Sequence, residues 1–153
     1  MEKRLFRDAM GKFATGITVV STNYQNEVKG ITVNSFMSLS LDPTLIAISI
    51  DKTASMYDIL QEANTFGISV LSENQKEESM IYANQKEVDQ PVKFTDLAGT
   101  PVLNNALVQL SCEKESAVEA GDHMIFIAKV NDLKISDGNP LLYFSGSYQQ
   151  LDK

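Results

Sequence analysis

The chain has 153 residues, 43% of them hydrophobic and 22% charged, which fits one soluble globular domain over residues 1–153. A net charge of −7 and a pI near 4.6 argue against nucleic acid as the main partner, because a phosphate backbone is bound by a concentrated basic surface. The single cysteine, Cys112, excludes an internal disulfide, so we expect a reducing, cytoplasmic compartment. With His123 as the single histidine, the chain lacks the ligands of a usual zinc site, so we expect no metal.

The amino terminus carries no sign of export. Its first residues are charged and amphipathic, unlike the basic segment and apolar run of a signal peptide. The longest apolar run, Leu45–Ile50, is far shorter than the ~20 residues that a membrane-spanning helix needs. We therefore expect a protein that is neither secreted nor bound to a membrane.

A helical period appears first near the amino terminus. Phe6, Met10 and Phe13 stand at positions i, i+4 and i+7. This spacing predicts an amphipathic helix over 3–14 that covers the core.

Strand patterns come next in the chain. A β-branched run over 17–22, then turn residues and a second run ending at Val33, predict a hairpin. Pro43 interrupts the next run, because proline lacks the backbone donor of a sheet ladder. We expect a turn there between two strands, the second over 44–50.

Two further helices are predicted from their starts. Ser55 and Asp58 form an S-x-x-D capping box ahead of an apolar helical face. A strand over 65–71 comes next, and Ser72 with Gln75 predicts the cap of another short helix.

The last third alternates between long strands and turns. Residues 83–101 are polar and without a period, which predicts a long ordered loop that could lie over a site. Alternation predicts strands over 106–119, with Cys112 as a small core residue, over 123–135, and over 141–148.

About seven strands with three short helices, and no regular βαβ alternation, predict a mainly β fold, an antiparallel barrel. No G-x-G-x-x-G segment follows a strand, so a nicotinamide nucleotide would not bind by the Rossmann route. Between Gly30 and Ser55, small hydroxyl and amide side chains alternate with apolar ones and lead into a helix start. Such a surface suits a flat ligand with polar edges and a phosphate.

Four segments together carry a family resemblance: AMGKFATGITVVST (9–22), GITVNSFMSLSLDPTLIAISIDKTAS (30–55), AGDHMIFIAKV (120–130) and PLLYFSGSY (140–148). In this order and spacing they resemble the flavin reductase family with an FMN-binding split barrel. The likeness is to the small reductase components of two-component monooxygenases, of the phenol and 4-hydroxyphenylacetate hydroxylase type. It implies an antiparallel split barrel, a homodimer, and transfer of hydride from NADH to FAD, FMN or riboflavin for a separate oxygenase.

The resemblance also implies roles for individual residues. Contacts to the flavin ring are implied for Thr32, Val33, Asn34 and Ser35, with Ser38 just beyond, contacts to the ribityl chain for Ser49, Ile50 and Asp51, and contacts to the phosphate for Lys52 and Ser55. Further flavin contacts are implied for Ala83, Asn84 and Gln85, where Asn84 replaces the family's glycine, and for Lys93 and Phe94. Ser145, Gly146 and Tyr148 are implied to bind cofactor on the nicotinamide side of the site. His123 lies on the family's Gly-Asp-His motif, which implies that it positions the nicotinamide.

Other function classes stay open at this point. A flavin-binding storage or redox-sensing protein would bind flavin without oxidising NADH. A split-barrel oxidase acting on a pyridoxine phosphate would need a basic cluster for a second phosphate, and none is recognisable. NADPH is an alternative donor, although no arginine clamp for a 2′-phosphate is evident. A simple interaction domain fits least, since polar residues interleaved through core strands suggest a ligand.

Overall fold

The computed structural model describes residues 1–152, which form three short helices and twelve strands. The helices are α1 (Lys3–Gly11), α2 (Met56–Glu62) and α3 (Lys76–Tyr82). The strands are β1 (Thr15–Gly16), β2 (Thr18–Tyr24), β3 (Glu27–Val33), β4 (Phe36–Ser40), β5 (Leu45–Asp51), β6 (Thr65–Val70), β7 (Phe94–Leu97), β8 (Thr100–Leu103), β9 (Val108–Ala120), β10 (His123–Ile135), β11 (Leu142–Phe144) and β12 (Ser147–Gln149).

Seven strands make one antiparallel sheet in the order β3-β2-β6-β9-β10-β5-β4. Strands β3 and β4 lie at opposite edges, yet only Asn34 and Ser35 separate them in the chain. In a flat sheet those edges would be about 29 Å apart, whereas three residue steps span about 11 Å at most. The sheet therefore curls into a barrel, and Asn34 and Ser35 bridge the place where its edges meet.

Hydrogen bonds hold this junction. The Ser35 hydroxyl donates to the Ser49 carbonyl oxygen at 2.7 Å, and the Ser49 N–H donates to the Ser35 carbonyl oxygen at 3.3 Å. The predicted mainly β, antiparallel split barrel is confirmed, although short strands outside the main sheet raise the strand count above the predicted seven.

The core lies inside this barrel. Its largest fully buried side chains include Phe66, Phe126, Ile48 and Leu60. Cys112 packs among them at 1% exposure, and burial raises the pKa of its thiol to about 12. The prediction of Cys112 as a small core residue is confirmed.

The predicted role of the first helix is wrong. No residue of α1 is buried, and the helix ends at Gly11 and not at 14. Its apolar side chains Leu5, Phe6 and Met10 are more than half exposed. The helical period indicates that one face is apolar, but it does not indicate which surface that face meets.

Two other expectations need correction. Residues 83–101 are not entirely loop, because they include β7 and the start of β8, joined through Ala98 and Gly99 at positive φ. The strand predicted over 141–148 divides into β11 and β12, because Ser145 and Gly146 turn the chain at φ 50° and 78°. β7 and β8 have four residues each, and β11 and β12 have three. Strands this short do not show a clear alternation of apolar and polar residues in the sequence.

The predicted caps also differ from the structure. Ser55 has helical backbone angles and makes no side-chain capping hydrogen bond, so the capping box with Asp58 is wrong. Instead, the Asp51 carboxylate accepts from the N–H and the hydroxyl of Thr53, both at 2.8 Å, and orders the turn before α2. Before α3, half of the predicted box is present, since the Gln75 side chain accepts from the Ser72 N–H at 3.0 Å.

Within residues 1–152, no helix has the length and apolar character needed to cross a membrane.

Candidate functional site

Two adjoining cavities lie at the junction of the barrel edges. The inner pocket, of about 330 Å³, is enclosed by the ends of β3 and β5, by α3 and by β12. The outer cleft, of about 1380 Å³, runs between α1, β4, β5 and the β11–β12 turn. Both cavities are lined by the same five residues: Asn34, Ser35, Ser49, His123 and Tyr143. Ligands held in the two cavities would therefore meet at these residues.

Most of the predicted cofactor-binding residues line the inner pocket. These are Thr32, Val33, Asn34, Ser35, Ser49, Ile50, Asp51, Ala83, Gln85 and Tyr148. They come from β3 and the junction after it, from β5, from the segment after α3 and from β12, four parts of the chain that the barrel brings together. The volume lies within the ordinary range for small-molecule sites.

Several of these hydroxyl groups bond to the protein itself. The Thr32 hydroxyl donates to the Ser79 carbonyl oxygen at 2.7 Å, and the Ser79 and Tyr148 hydroxyls lie 2.9 Å apart. They fix α3 and β12 against β3. Among the described residues, the side-chain amides of Asn34 and Gln85 line the pocket without such a partner, so both are available to a ligand's polar edge.

Asn84, where the family resemblance implies a glycine, has a backbone conformation typical of glycine. It adopts φ 60°, a left-handed conformation that asparagine tolerates better than most residues. Its neighbours Ala83 and Gln85 both line the inner pocket, whereas Asn84 itself does not.

Six predicted contact residues line neither cavity, and Asn84 is one of them. Ser38 is exposed on β4, opposite Ile46, and Ser55 is exposed before α2. Lys93 is exposed, and Phe94 packs edge-on against Tyr82 with ring centroids 5.9 Å apart.

Lys52, predicted to bind the phosphate, also lines neither cavity. Its ammonium group pairs with the Glu119 carboxylate of the β9–β10 hairpin. Its backbone N–H donates to the Asp122 backbone carbonyl oxygen at 3.0 Å. The hydrogen bond and charge of Lys52 lower the pKa of Glu119. The sequence could not indicate this pairing, because the two residues are 67 positions apart.

His123 stands where the two cavities join. It begins β10, opposite Asp51 of β5, and its side chain is 39% exposed. Its Nδ1 lies 2.7 Å from Oδ1 of Asp122, which fixes the ring and leaves Nε2 for a ligand. Thr53 lowers the pKa of Asp51 through a backbone and a side-chain hydrogen bond, with a smaller contribution from His123, so a carboxylate stays at this edge of the inner pocket.

The outer cleft contains residues that the sequence did not indicate as functional. Phe6, Arg7, Met10, Lys12 and Phe13 of the amino-terminal segment line it. The predicted residues Ser145 and Gly146 lie there too, and the Ser145 N–H donates to the Gly11 carbonyl oxygen at 2.8 Å. The only sequence signal for this wall is the apolar period of α1, which by itself favours a helix that covers the core.

Within residues 1–152, no group of three or more His, Cys, Asp or Glu side chains is placed to hold a metal ion.

Residues 10–152 match a family model described as a flavin reductase like domain. The chain is 40% identical to the NADH-dependent flavin reductase StyB of Pseudomonas fluorescens, over 97% of this chain and 89% of that protein. It is 32% identical to the reductase component of 4-hydroxyphenylacetate 3-monooxygenase from Thermus thermophilus, over 97% of each. The solved structure of the flavin reductase PheA2 in its native state superimposes with a TM-score of 0.97 at 47% identity, over all of both chains.

Proposed function

The chain belongs to the flavin reductase-like domain family, and we propose that it is an NADH-dependent flavin reductase that supplies reduced flavin to a separate monooxygenase. The observation that carries this proposal is the meeting of two cavities at five shared residues. When both ligands are bound, NADH supplies a hydride from nicotinamide C4 to flavin N5, so that NADH, flavin and a proton give NAD⁺ and reduced flavin. The protein contributes binding and orientation.

The inner pocket is proposed to hold the flavin ring. Asn34 and Gln85 offer unpartnered amides, and the backbone from Thr32 to Ser35 forms the wall at the barrel junction. Because internal hydrogen bonds already fix the Thr32 and Ser35 hydroxyls, this wall is rigid before a ligand arrives. Ser49, Ile50 and Asp51 continue along β5 and are proposed to contact the ribityl chain.

Lys52 and Ser55 remain our proposal for the flavin phosphate. Both follow Asp51 on the turn before α2. To contact a phosphate, the Lys52 ammonium would have to leave the Glu119 carboxylate. Because Glu119 is exposed to water, breaking this ion pair costs little free energy.

His123 is proposed to position the nicotinamide. Its hydrogen bond with Asp122 orients the ring, and it lines both cavities. Holding the donor carbon close to the flavin shortens and aligns the hydride path, which is the main contribution that a protein makes to such a transfer.

A second copy of the chain is proposed to pack against the exposed apolar side chains of α1 and β4 and to leave the outer cleft open between the two copies. Phe13 is 78% exposed and Leu41, after β4, is 89% exposed, next to the exposed Met37 and Leu39. Large apolar side chains exposed together on neighbouring elements, as Phe13 and Met37 are in the outer cleft, typically mark a protein interface. A cytoplasmic location also belongs to the proposal, since NADH is an intracellular reductant and Cys112 is a free thiol.

Steady-state oxidation of NADH, followed by its own absorbance with FAD, FMN or riboflavin in excess, tests the activity. We expect turnover that depends on added flavin and on protein. Flavin binding without NADH oxidation, with every flavin and with NADPH as well, would instead indicate a flavin-binding protein of another function.

A further inference from the structure

The ligands of the proposed function, on which this inference rests, present a charge problem. NADH carries a pyrophosphate, and the flavin cofactors FMN and FAD carry phosphates too, whereas the chain has a net charge of −7. Phosphates bound by an acidic protein need local positive charge. Lys52 is paired with Glu119 and lines neither cavity.

Two cations alone line the cavities. Among the described residues around the inner pocket and the outer cleft, Arg7 and Lys12 are the only lysine or arginine side chains, and both lie in the outer cleft. Neither has a carboxylate within salt-bridge distance among residues 1–152. Asp8 also lines the outer cleft, so the fixed charge there is still positive by one.

The end of α1 is held beside the donor side of the site. Its Gly11 carbonyl oxygen accepts from the Ser145 N–H at 2.8 Å, and the Lys12 ammonium lies 5.7 Å from the centroid of the Phe144 ring. These contacts fix the last turn of α1 against the β11–β12 turn. Arg7, one helical turn before Gly11, therefore faces the same cleft as Ser145 and His123.

We propose that Arg7 and Lys12 bind the pyrophosphate of the hydride donor. The outer cleft is favoured for the donor because it brings these cations together with His123 and Gly146. Of the residues proposed to hold the flavin, Asp51 and Gln85 line the inner pocket alone, whereas Asn34, Ser35 and Ser49 line both cavities where the two ligands would meet. The planar arginine fork matches phosphate oxygens in pairs, and Lys12, at the C-cap of α1, adds a point charge.

The primary test is a kinetic comparison with riboflavin as acceptor, since riboflavin has no phosphate of its own. In Arg7→Leu, we expect the KM for NADH to rise about tenfold with kcat changed less than about twofold, because one charge-assisted contact is lost. Arg7→Lys keeps the charge and should recover most of the affinity. Arg4→Leu is the matched control, since Arg4 lies on the same helix but lines neither cavity.

A donor without phosphate separates charge recognition from a structural effect of α1. With 1-benzyl-1,4-dihydronicotinamide as the comparison donor, the ratio of kcat/KM for NADH to kcat/KM for this donor should fall about tenfold in Arg7→Leu. Lys12→Met should lower the same ratio. A wild-type KM for NADH that rises with salt, and rises less in Arg7→Leu, would support the proposal further.

Several results would overturn the inference while the proposed function stands. These are equal kinetics for Arg7→Leu and wild type, equal losses with both donors, or a defect that appears with FAD and disappears with riboflavin, which would assign the cations to the flavin. If the wild-type protein oxidised neither donor with any flavin, the proposed function itself would fail.

Discussion

At the level of single residues, His123 connects the two halves of the site. It lines the inner pocket and the outer cleft, and Asp122 fixes its ring through a 2.7 Å hydrogen bond. A side chain at this position affects how the donor lies against the flavin more than how tightly the flavin binds.

We therefore expect His123→Ala to lower kcat/KM for NADH about 10- to 100-fold while changing flavin affinity by less than about threefold. Steady-state kinetics and a flavin fluorescence titration measure the two quantities separately. An equal loss of both, or no loss of either, would contradict the positioning role.

The pairing of Lys52 with Glu119 predicts a pH effect of known sign. Lys52 lowers the pKa of Glu119 in the folded protein, so the pair stabilises the fold above the unfolded pKa of that carboxyl. This stabilisation is lost as the pH falls through the lowered, folded pKa. In Lys52→Met, a carboxyl-selective NMR titration should show the pKa of Glu119 returning towards its ordinary value.

The stability difference between Lys52→Met and wild type should be present at neutral pH and should disappear below the folded pKa of Glu119. Lys129→Met, at an exposed lysine without a salt bridge, is the control. An unchanged Glu119 titration in Lys52→Met would show that the pair does not exist in solution.

Among the strands and helices, close contact between β6 and β8 supports the barrel wall beneath the site. A Cβ added at Gly67 of β6 would lie 2.2 Å from the Pro101 carbonyl oxygen, which also accepts from the Ser21 hydroxyl at 2.7 Å. Neither the backbone of β8 nor this hydrogen bond has space to shift, so β6 requires glycine there.

Gly67→Ala should therefore lower the free energy of unfolding by about 3 kcal/mol or prevent folding, because overpacking displaces backbone. Gly16→Ala is the matched control, since nothing lies within 4 Å of its added Cβ. Urea denaturation compares the two variants. Equal stability of Gly67→Ala and Gly16→Ala would show that β6 and β8 lie farther apart in solution than in the structure.

Strand positions could be predicted from sequence, whereas contacts between distant elements could not. Alternation over 123–135 predicts β10 to the residue, and Pro43 marks the turn between β4 and β5. The period of α1 indicates its helix but not the exposure of its apolar face. The motif from Thr32 to Ser35 predicts part of the inner pocket. The pairing of Lys52 with Glu119 could not be predicted, because it depends on β5 lying beside β10 in the sheet, which no local pattern indicates.

In the molecule as a whole, the barrel leaves one large apolar surface uncovered. α1, the segment just after it and β4 expose apolar side chains, of which Phe6, Met10, Phe13 and Met37 line the outer cleft and Leu39 lies outside it. A folded chain that left this surface in water would lose the hydrophobic stabilisation that an interface supplies.

We expect sedimentation equilibrium to give the mass of two 16.9 kDa chains. Phe13→Asp should shift the protein towards the monomer, because a charge would be buried at the interface. Val88→Asp, at an exposed apolar residue outside α1 and β4, should leave the mass unchanged. A monomeric wild-type protein at micromolar concentration would contradict the homodimer.

The proposed function requires the two cavities to bring a nicotinamide and a flavin together for direct hydride transfer. Anaerobic stopped-flow reduction of bound flavin, by NADH that carries deuterium at the transferred C4 position, observes this step itself. We predict rapid bleaching of the flavin absorbance, slowed severalfold by the deuterium, with the label released from NADH. Flavin that binds but is not bleached, or bleaching at the rate of NADH and flavin without protein, would contradict direct transfer in this site.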